Sequence, residues 1–113
     1  MKENLLAMQA ACRDRTHIWP LLPLQPVHVL LEGEGESWLL VISDQGVQLS
    51  NRHTDHWHLR LRGGVEPLLE GRGQLRLYER MGAVEVAGFY RVKLWFESFL
   101  WLCRPYYETS GTA

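Results

Sequence analysis

The chain has 113 residues, 46% hydrophobic and 22% charged, which suits one domain with one core and leaves little room for a second lobe. Five Trp, four Tyr and three Phe exclude global disorder. Twelve basic residues against thirteen acidic ones give a formal net charge of −1, which argues against a general nucleic-acid binder; no segment approaches the roughly 18 apolar residues of a membrane span.

Residues 4–15 place Leu5, Met8 and Cys12 at helical spacing, with Leu6 widening the face and Asn4 available as a cap. Met1–Cys12 carries one Lys and an apolar segment too short for the core of a signal sequence. Gln9-Ala10-Ala11-Cys12 has the small residues of a lipoprotein processing site, but Gln9 and Glu3 argue against that reading. Cys12 and Cys103 stand near opposite ends of the chain and are expected as two reduced thiols in a cytoplasmic protein. Pro20, Pro23 and Pro26 then favour an extended, polyproline-like connector. Its Trp19, Leu21, Leu22 and Leu24 are expected to cover a core edge.

The period next changes to two. Val27–Glu32, Ser37–Ser43 and Val47–Ser50 read as strands joined by tight turns at Gly33–Glu36 and Asp44-Gln45-Gly46. Residues 51–55 form a polar loop. His56–Arg62 alternates most cleanly, with Trp57, Leu59 and Leu61 toward a core and His56, His58, Arg60 and Arg62 toward water. Gly63-Gly64 ends that strand, and Pro67 opens a short helix carrying Leu68 and Leu69. Gly71 and Gly73 break it. Leu75, Tyr78 and Met81, spaced by three, favour another helix stopped by Gly82 over a strand, although Leu75-Arg76-Leu77 alone could alternate. Val84-Glu85-Val86 is a last short strand closed by Gly88.

Residues 89–103 contain no Gly or Pro and predict a helix. Phe89, Val92, Phe96, Phe99 and Cys103 form one stripe, and Tyr90, Leu94 and Trp101 extend the apolar surface beyond it. Such a helix is expected to be buried on more than one side, by the core, a lipid cavity or a partner subunit. Pro105 stops it, and residues 106–113 read as a frayed tail.

This succession resembles the sterol carrier protein 2 family of lipid-binding domains, best between Val27 and Cys103. Val27–Glu32, Gly35 and Ser37–Ile42 are similar to the family's first hairpin with its Trp-bearing second strand. Leu59-Arg60-Leu61 with Val65–Gly71, and the glycine–strand–glycine run Met81–Gly88, resemble its later segments. Phe89 follows Gly88 where the family often has an acidic residue, and Gly111-Thr112-Ala113 is not a peroxisomal address. The resemblance implies an α+β fold: a mixed, mostly antiparallel sheet of about five strands, helices on one face, and a long apolar C-terminal helix. It also implies an apolar cavity between sheet and helices for a sterol, fatty acid or fatty acyl chain. Trp38, Leu40 and Ile42, or their alternates Leu39 and Val41, are available to line it, with Phe89, Val92, Phe96, Phe99 and Leu100 from the final helix. A filled core would use the same residues.

Chemistry-bearing clusters are sparse. His56 and His58 share a strand face and could chelate an ion, with His53 or Asp55 adding a ligand. Arg60 and Arg62 just along the strand disfavour a divalent ion, so no metal is expected. Cys12 and Cys103 lack a neighbouring His, and no serine stands in a nucleophile elbow. Gly71-Arg72-Gly73 and Gly33-Glu34-Gly35 are too short for phosphate loops. Arg60 and Arg62, joined by Arg76 and Arg80, could meet an acidic membrane surface or a ligand headgroup, but a solubilising face is the expected reading. The expectation is a non-catalytic lipid carrier without cofactor. The alternative is an interaction protein with a filled core that dimerises through its last helix.

Overall fold

The computed structural model describes residues 1–51 and 54–105. Helix α1 spans Lys2–Asp14 and leads into a 3-10 helix, Thr16–Leu21. Strands β1 (Val27–Gly33), β2 (Glu36–Ser43) and β3 (Gly46–Ser50) form a meander. Strand β4 (Leu59–Gly63) is followed by the short helices α2 (Glu66–Leu69) and α3 (Leu75–Arg80). Strand β5 (Val84–Gly88) precedes the last helix, α4 (Tyr90–Cys103).

The sheet order is β3-β2-β1-β4-β5. Every pairing is antiparallel except the central one, where β1 and β4 run parallel with Val29 opposite Leu59 and Leu31 opposite Leu61. That register lines up Val29, Leu31, Leu40, Ile42, Val47, Leu59, Leu61 and Val84 on one face, all buried. The helices cover this face with Leu5, Met8 and Cys12 from α1 and Phe96, Phe99, Leu100 and Cys103 from α4. The sheet and its helices therefore form the mixed α+β architecture expected from the sequence.

Glycine is required where strand β4 and its neighbours crowd. Gly63 has φ +119°, and a Cβ there would lie 2.7 Å from the Ala83 carbonyl oxygen. Gly88 has φ +134°, and a Cβ there would strike the His58 carbonyl. Both conformations suit glycine and penalise any side chain.

Several local expectations are corrected. The proline-rich connector begins as a 3-10 helix containing Pro20. Its fixed φ is compatible with that helix, and the Trp19 indole N–H donates to the Cys12 carbonyl at 3.0 Å, holding the turn against α1. Leu24 is 81% exposed and Trp19 53%, so neither seals a core edge. Asn4 lies inside α1, where its amide donates to Glu66 Oε1 rather than capping the helix. Residues 54–58 precede the β4 ladder, so the alternation expected from His56 does not govern Trp57. The Arg60 guanidinium sits 5.2 Å from the Trp57 ring, on the side of the sheet away from Leu59 and Leu61. The opposite face is not wholly wet either, because Leu30 is buried there between its register partners Leu39 and Arg60. Helix α4 is also less enclosed than expected: Tyr90 is 68% exposed and Trp101 51%. Phe89 precedes the helix with extended backbone, so it leaves the inner stripe and is 70% exposed. His53 and residues 106–113 lie outside the described residues.

Two buried thiols meet where α1 and α4 converge. Cys12 Sγ and Cys103 Sγ are 3.8 Å apart and unbridged. The contact with Cys103 holds the Cys12 thiol below its ordinary value, helped by the Arg15 charge, whereas the contact with Cys12 and then burial push the Cys103 thiol up. Unfolded in urea without reductant, the chain should release two reactive thiols. A mass two hydrogens lower with no reactive thiol would show a bridge instead.

Phe96 and Phe99 have no exposed surface and stack with centroids 6.0 Å apart; Trp95 lies 5.3 Å from Phe99. A side chain so enclosed contributes transfer energy and close contacts together. Phe99→Ala should therefore lower stability by about 3–5 kcal/mol in urea unfolding. A loss near ~1 kcal/mol would mean that Phe99 already borders empty space.

Candidate functional site

A cleft of about 360 Å³ opens between the outer end of α4 and the segment from α2 to α3. Its apolar residues are Leu68, Leu75 and Leu100, with Trp101 and Leu102 from the last turns of α4. Gly71 and Gly73 let the chain turn beside it; a Cβ at Gly73 would come within 2.7 Å of the Tyr78 ring. Leu75 and Leu100 are buried whereas Ser98 and Trp101 are exposed, so apolar residues lie deep and the entrance is mixed. The volume is at the low end for small-molecule sites.

Glu97 and Arg76 organise one wall. Glu97 Oε2 accepts the Arg76 backbone N–H at 3.0 Å, and Glu97 Oε1 lies 3.4 Å from Arg76 Nε. Arg76 stands in the first turn of α3, so a carboxylate from α4 satisfies a free N–H there and faces the positive end of the helix. One turn along, Lys93 Nζ lies 3.0 Å from Glu79 Oε1. These two pairs hold α3 alongside α4. At the cleft itself Arg76 and Glu97 are engaged with each other, beside the polar residues Gln74 and Ser98.

The residues expected to line a cavity are dispersed. Leu100 borders the cleft. Leu40, Ile42, Phe96 and Phe99 form the packed centre of the core, each without exposed surface. Val92 is half-buried against that core. Trp38 is half-buried farther along the sheet and borders a shallow crevice with Leu6, Gln9 and Leu49 beside α1. Phe89 is on the surface. Sequence reasoning missed Leu68, Leu75, Ser98 and Trp101 as neighbours. Leu68 and Leu75 stand in short glycine-broken helices and Ser98 and Trp101 in the long α4, and neither setting gives a hint that α2, α3 and α4 converge. The Arg76–Glu97 pair spans 21 positions and is equally invisible to local spacing.

No family model matches the sequence, and no curated protein matches it. The architecture nevertheless has clear counterparts: the chain has the fold of sterol carrier protein 2 domains. A UbiJ-SCP2 ubiquinone synthesis protein superposes with a TM-score of 0.69 at 19% identity, over 91% of this chain and 93% of that one. The sterol carrier protein domain 2 of Helicoverpa armigera gives 0.63 at 10% identity, over 96% and 90%. Sterol carrier protein 2 from Yarrowia lipolytica, in its apo form, gives 0.57 at 14% identity, over 88% of each chain.

The histidine and arginine ladder resolves into structural contacts. His58 donates its backbone N–H to the His28 carbonyl at 2.8 Å, and its Nδ1 accepts the His28 N–H at 2.9 Å. This pair extends the β1–β4 pairing by one step and occupies the nitrogen that a metal would need. His56 lies outside the ladder and is exposed. Among the described residues, no three His, Cys, Asp or Glu side chains are grouped to hold a metal ion. Arg60 and Arg62 are drawn to Glu32 and Glu85 on the adjacent strands, so their charge is compensated within the sheet. Arg76 and Arg80 stand on α3 and do not extend that ladder.

Burial, followed by the neighbouring His58, holds His28 below the ordinary histidine value of 6.5. Between the folded and unfolded values the unfolded chain binds more protons, so stability rises with pH in that window. His28 therefore contributes fully above about pH 6.5, and its contribution is lost as the pH falls through the folded value. Urea midpoints measured from about pH 8 to about pH 5 should decline below pH 6.5, and His28→Gln should flatten part of that decline. An identical decline in the variant would assign the effect to other groups.

Proposed function

We propose that the chain, acting as one domain, binds a lipid non-catalytically and carries its acyl or other apolar portion in the region beneath α4. The observation that carries this reading is the cleft floored by Leu68, Leu75 and Leu100, in a fold shared with sterol carrier protein 2 domains. The driving force would be transfer of apolar surface from water, about 0.8 kcal/mol per buried methylene, less the cost of ordering the chain. The cleft supplies the entrance at Ser98 and Trp101. A longer ligand would continue past Leu100 toward Phe96 and Phe99, with Leu40, Ile42 and Val92 behind them, as those side chains shift. Trp38 and Phe89 take no part in that path as they stand. A cytoplasmic setting accords with two unbridged thiols in contact. No helix among the described residues is long and apolar enough to cross a membrane.

The alternative is an interaction protein with a filled core that pairs through α4, and the full enclosure of Phe96 and Phe99 favours it. Titration with a fluorescent fatty acid separates the two. The carrier reading expects saturable binding, at least tenfold weaker in Ser98→Trp, where the new ring fills the entrance while the fold is retained. Binding unchanged by that substitution would move the ligand elsewhere. No saturable binding in the parent chain would leave the interaction protein.

A further inference from the structure

The outer side of α4 is neither part of the core nor part of the cleft floor. Tyr90, Leu94 and Trp101 follow one another at helical spacing along it, 68%, 42% and 51% exposed. Phe89, 70% exposed, stands at the start of the helix. A packed helix normally turns charged and polar residues to water, so a stripe of aromatics and Leu is a departure that asks for an occupant.

Charge indicates which occupant. Helices α3 and α4 with Arg104 carry five cations, Arg76, Arg80, Arg91, Lys93 and Arg104, against two carboxylates, Glu79 and Glu97, in a chain of net charge −1. Both carboxylates are held in ion pairs, and Glu97 keeps only 15% of its side chain exposed. Arg80 and Arg91 are exposed and make no ion pair among the described residues. Cations also lie on the exposed rings: the Arg104 guanidinium is 3.7 Å from the Trp101 centroid, and Lys93 Nζ is 5.3 Å from that of Tyr90. Tyr and Trp with interspersed cations match the boundary of a bilayer, where rings sit at headgroup level and cations meet lipid phosphates. A second copy of this face would bring two positively charged surfaces together, which opposes self-association.

We infer that the outer face of α4, flanked by the cations of α3, docks on an anionic lipid bilayer. Tyr90, Leu94 and Trp101 enter the headgroup region while Arg80 and Arg91 engage lipid phosphates. Trp101 also borders the cleft, so docking sets the cleft entrance at the membrane surface. The inference goes beyond the cargo reading and does not require it.

The test is binding of the full chain to vesicles of phosphatidylcholine, alone or with about 30% phosphatidylglycerol, read by co-sedimentation and tryptophan emission. Partitioning should be about tenfold or more stronger on the anionic vesicles, should weaken as salt rises toward about 0.5 M, and should shift emission to the blue. Arg91→Glu with Leu94→Glu should lose at least tenfold of that binding with an unchanged urea midpoint. Gln48→Glu, on the far edge strand β3, should bind as the parent does. Equal partitioning on both vesicle types would overturn the inference, as would parent-like binding by the double variant. A dimer dissolved by Leu94→Glu, with no vesicle uptake, would assign the face to self-association. Acyl titration without vesicles should be unaffected in the double variant. If the parent takes no fatty acid yet binds anionic vesicles through this face, the cargo reading fails and the docking surface stands.

Discussion

The fold depends on its two chain ends meeting over one sheet face. Neither α1 nor α4 is wide enough to cover five strands, and each leaves apolar sheet exposed without the other. Their junction is fixed by shape and by charge. Cys12 and Cys103 touch across it, and Arg15 Nη1 donates to the carbonyls of Leu102 and Arg104, both at 2.8 Å. Those carbonyls lie at the negative end of α4, where a guanidinium satisfies acceptors left free by the helix and opposes their partial charge. The loop closed by this junction runs through almost the whole chain, so its entropic cost must be offset by the burial of the intervening sheet. The Trp95 indole adds a second tie, donating to the Leu21 carbonyl at 2.8 Å.

That closure decides where function can reside. Helix α1 and the 3-10 segment flank one side of α4, and α3 flanks the other through two ion pairs. What remains is the outer stripe and the seam with α2 and α3, where the cleft lies. The sheet's far face is unsuited to an anionic partner because Glu32 and Glu85 already compensate Arg60 and Arg62. The helical layer, by contrast, keeps a surplus of cations. A chain that is nearly neutral overall is therefore polar in its layers, and the binding chemistry follows that separation rather than the net charge.

Legibility in the sequence followed the range of the interactions concerned. The β1–β2–β3 meander was readable because turn chemistry and period-two alternation are both local, and α2 and α3 were readable because Pro67, Gly71, Gly73 and Gly82 punctuate them. The family resemblance implied a mixed sheet, which alternation alone does not supply, but that β1 and β4 are the parallel pair is seen only in the structure. Trp57 was misread because alternation assigns faces only inside a ladder, and the ladder begins at Leu59. Phe89 was misread for the matching reason at a helix start. Apolarity around α4 suggested burial on several sides, yet burial depends on the supply of neighbours, and this small chain covers only the inner face and flanks. The thiol contact, the Arg15 clamp and the Arg76–Glu97 pair join residues far apart in sequence, so no local pattern announces them. Of the residues expected at a lipid site, Leu100 alone was both readable and placed at the cleft.

The enclosure of Phe96 and Phe99 sets the physical terms of any carrier activity. An acyl chain confined to the cleft gains burial against Leu68, Leu75 and Leu100 without disturbing the core. One that goes deeper must separate stacked rings, and close-packed aromatics lose dispersion contacts steeply as a gap opens. Each added methylene returns only about 0.8 kcal/mol, so several must enter before displacement of a single packed ring is offset. Short or kinked apolar groups would therefore be limited to the entrance, and deep insertion would favour long chains. Helix α4 is the element whose movement would open the core, and its outer stripe is largely exposed, so it has few contacts to lose in such a shift. The contacts such a shift would have to keep or break are the ion pairs to α3, the Arg15 bonds at the helix end and the Trp95 tie to Leu21, all on the flanks and end of α4. The same asymmetry that leaves α4 apolar on the outside thus lowers the cost of the motion that cargo uptake would need.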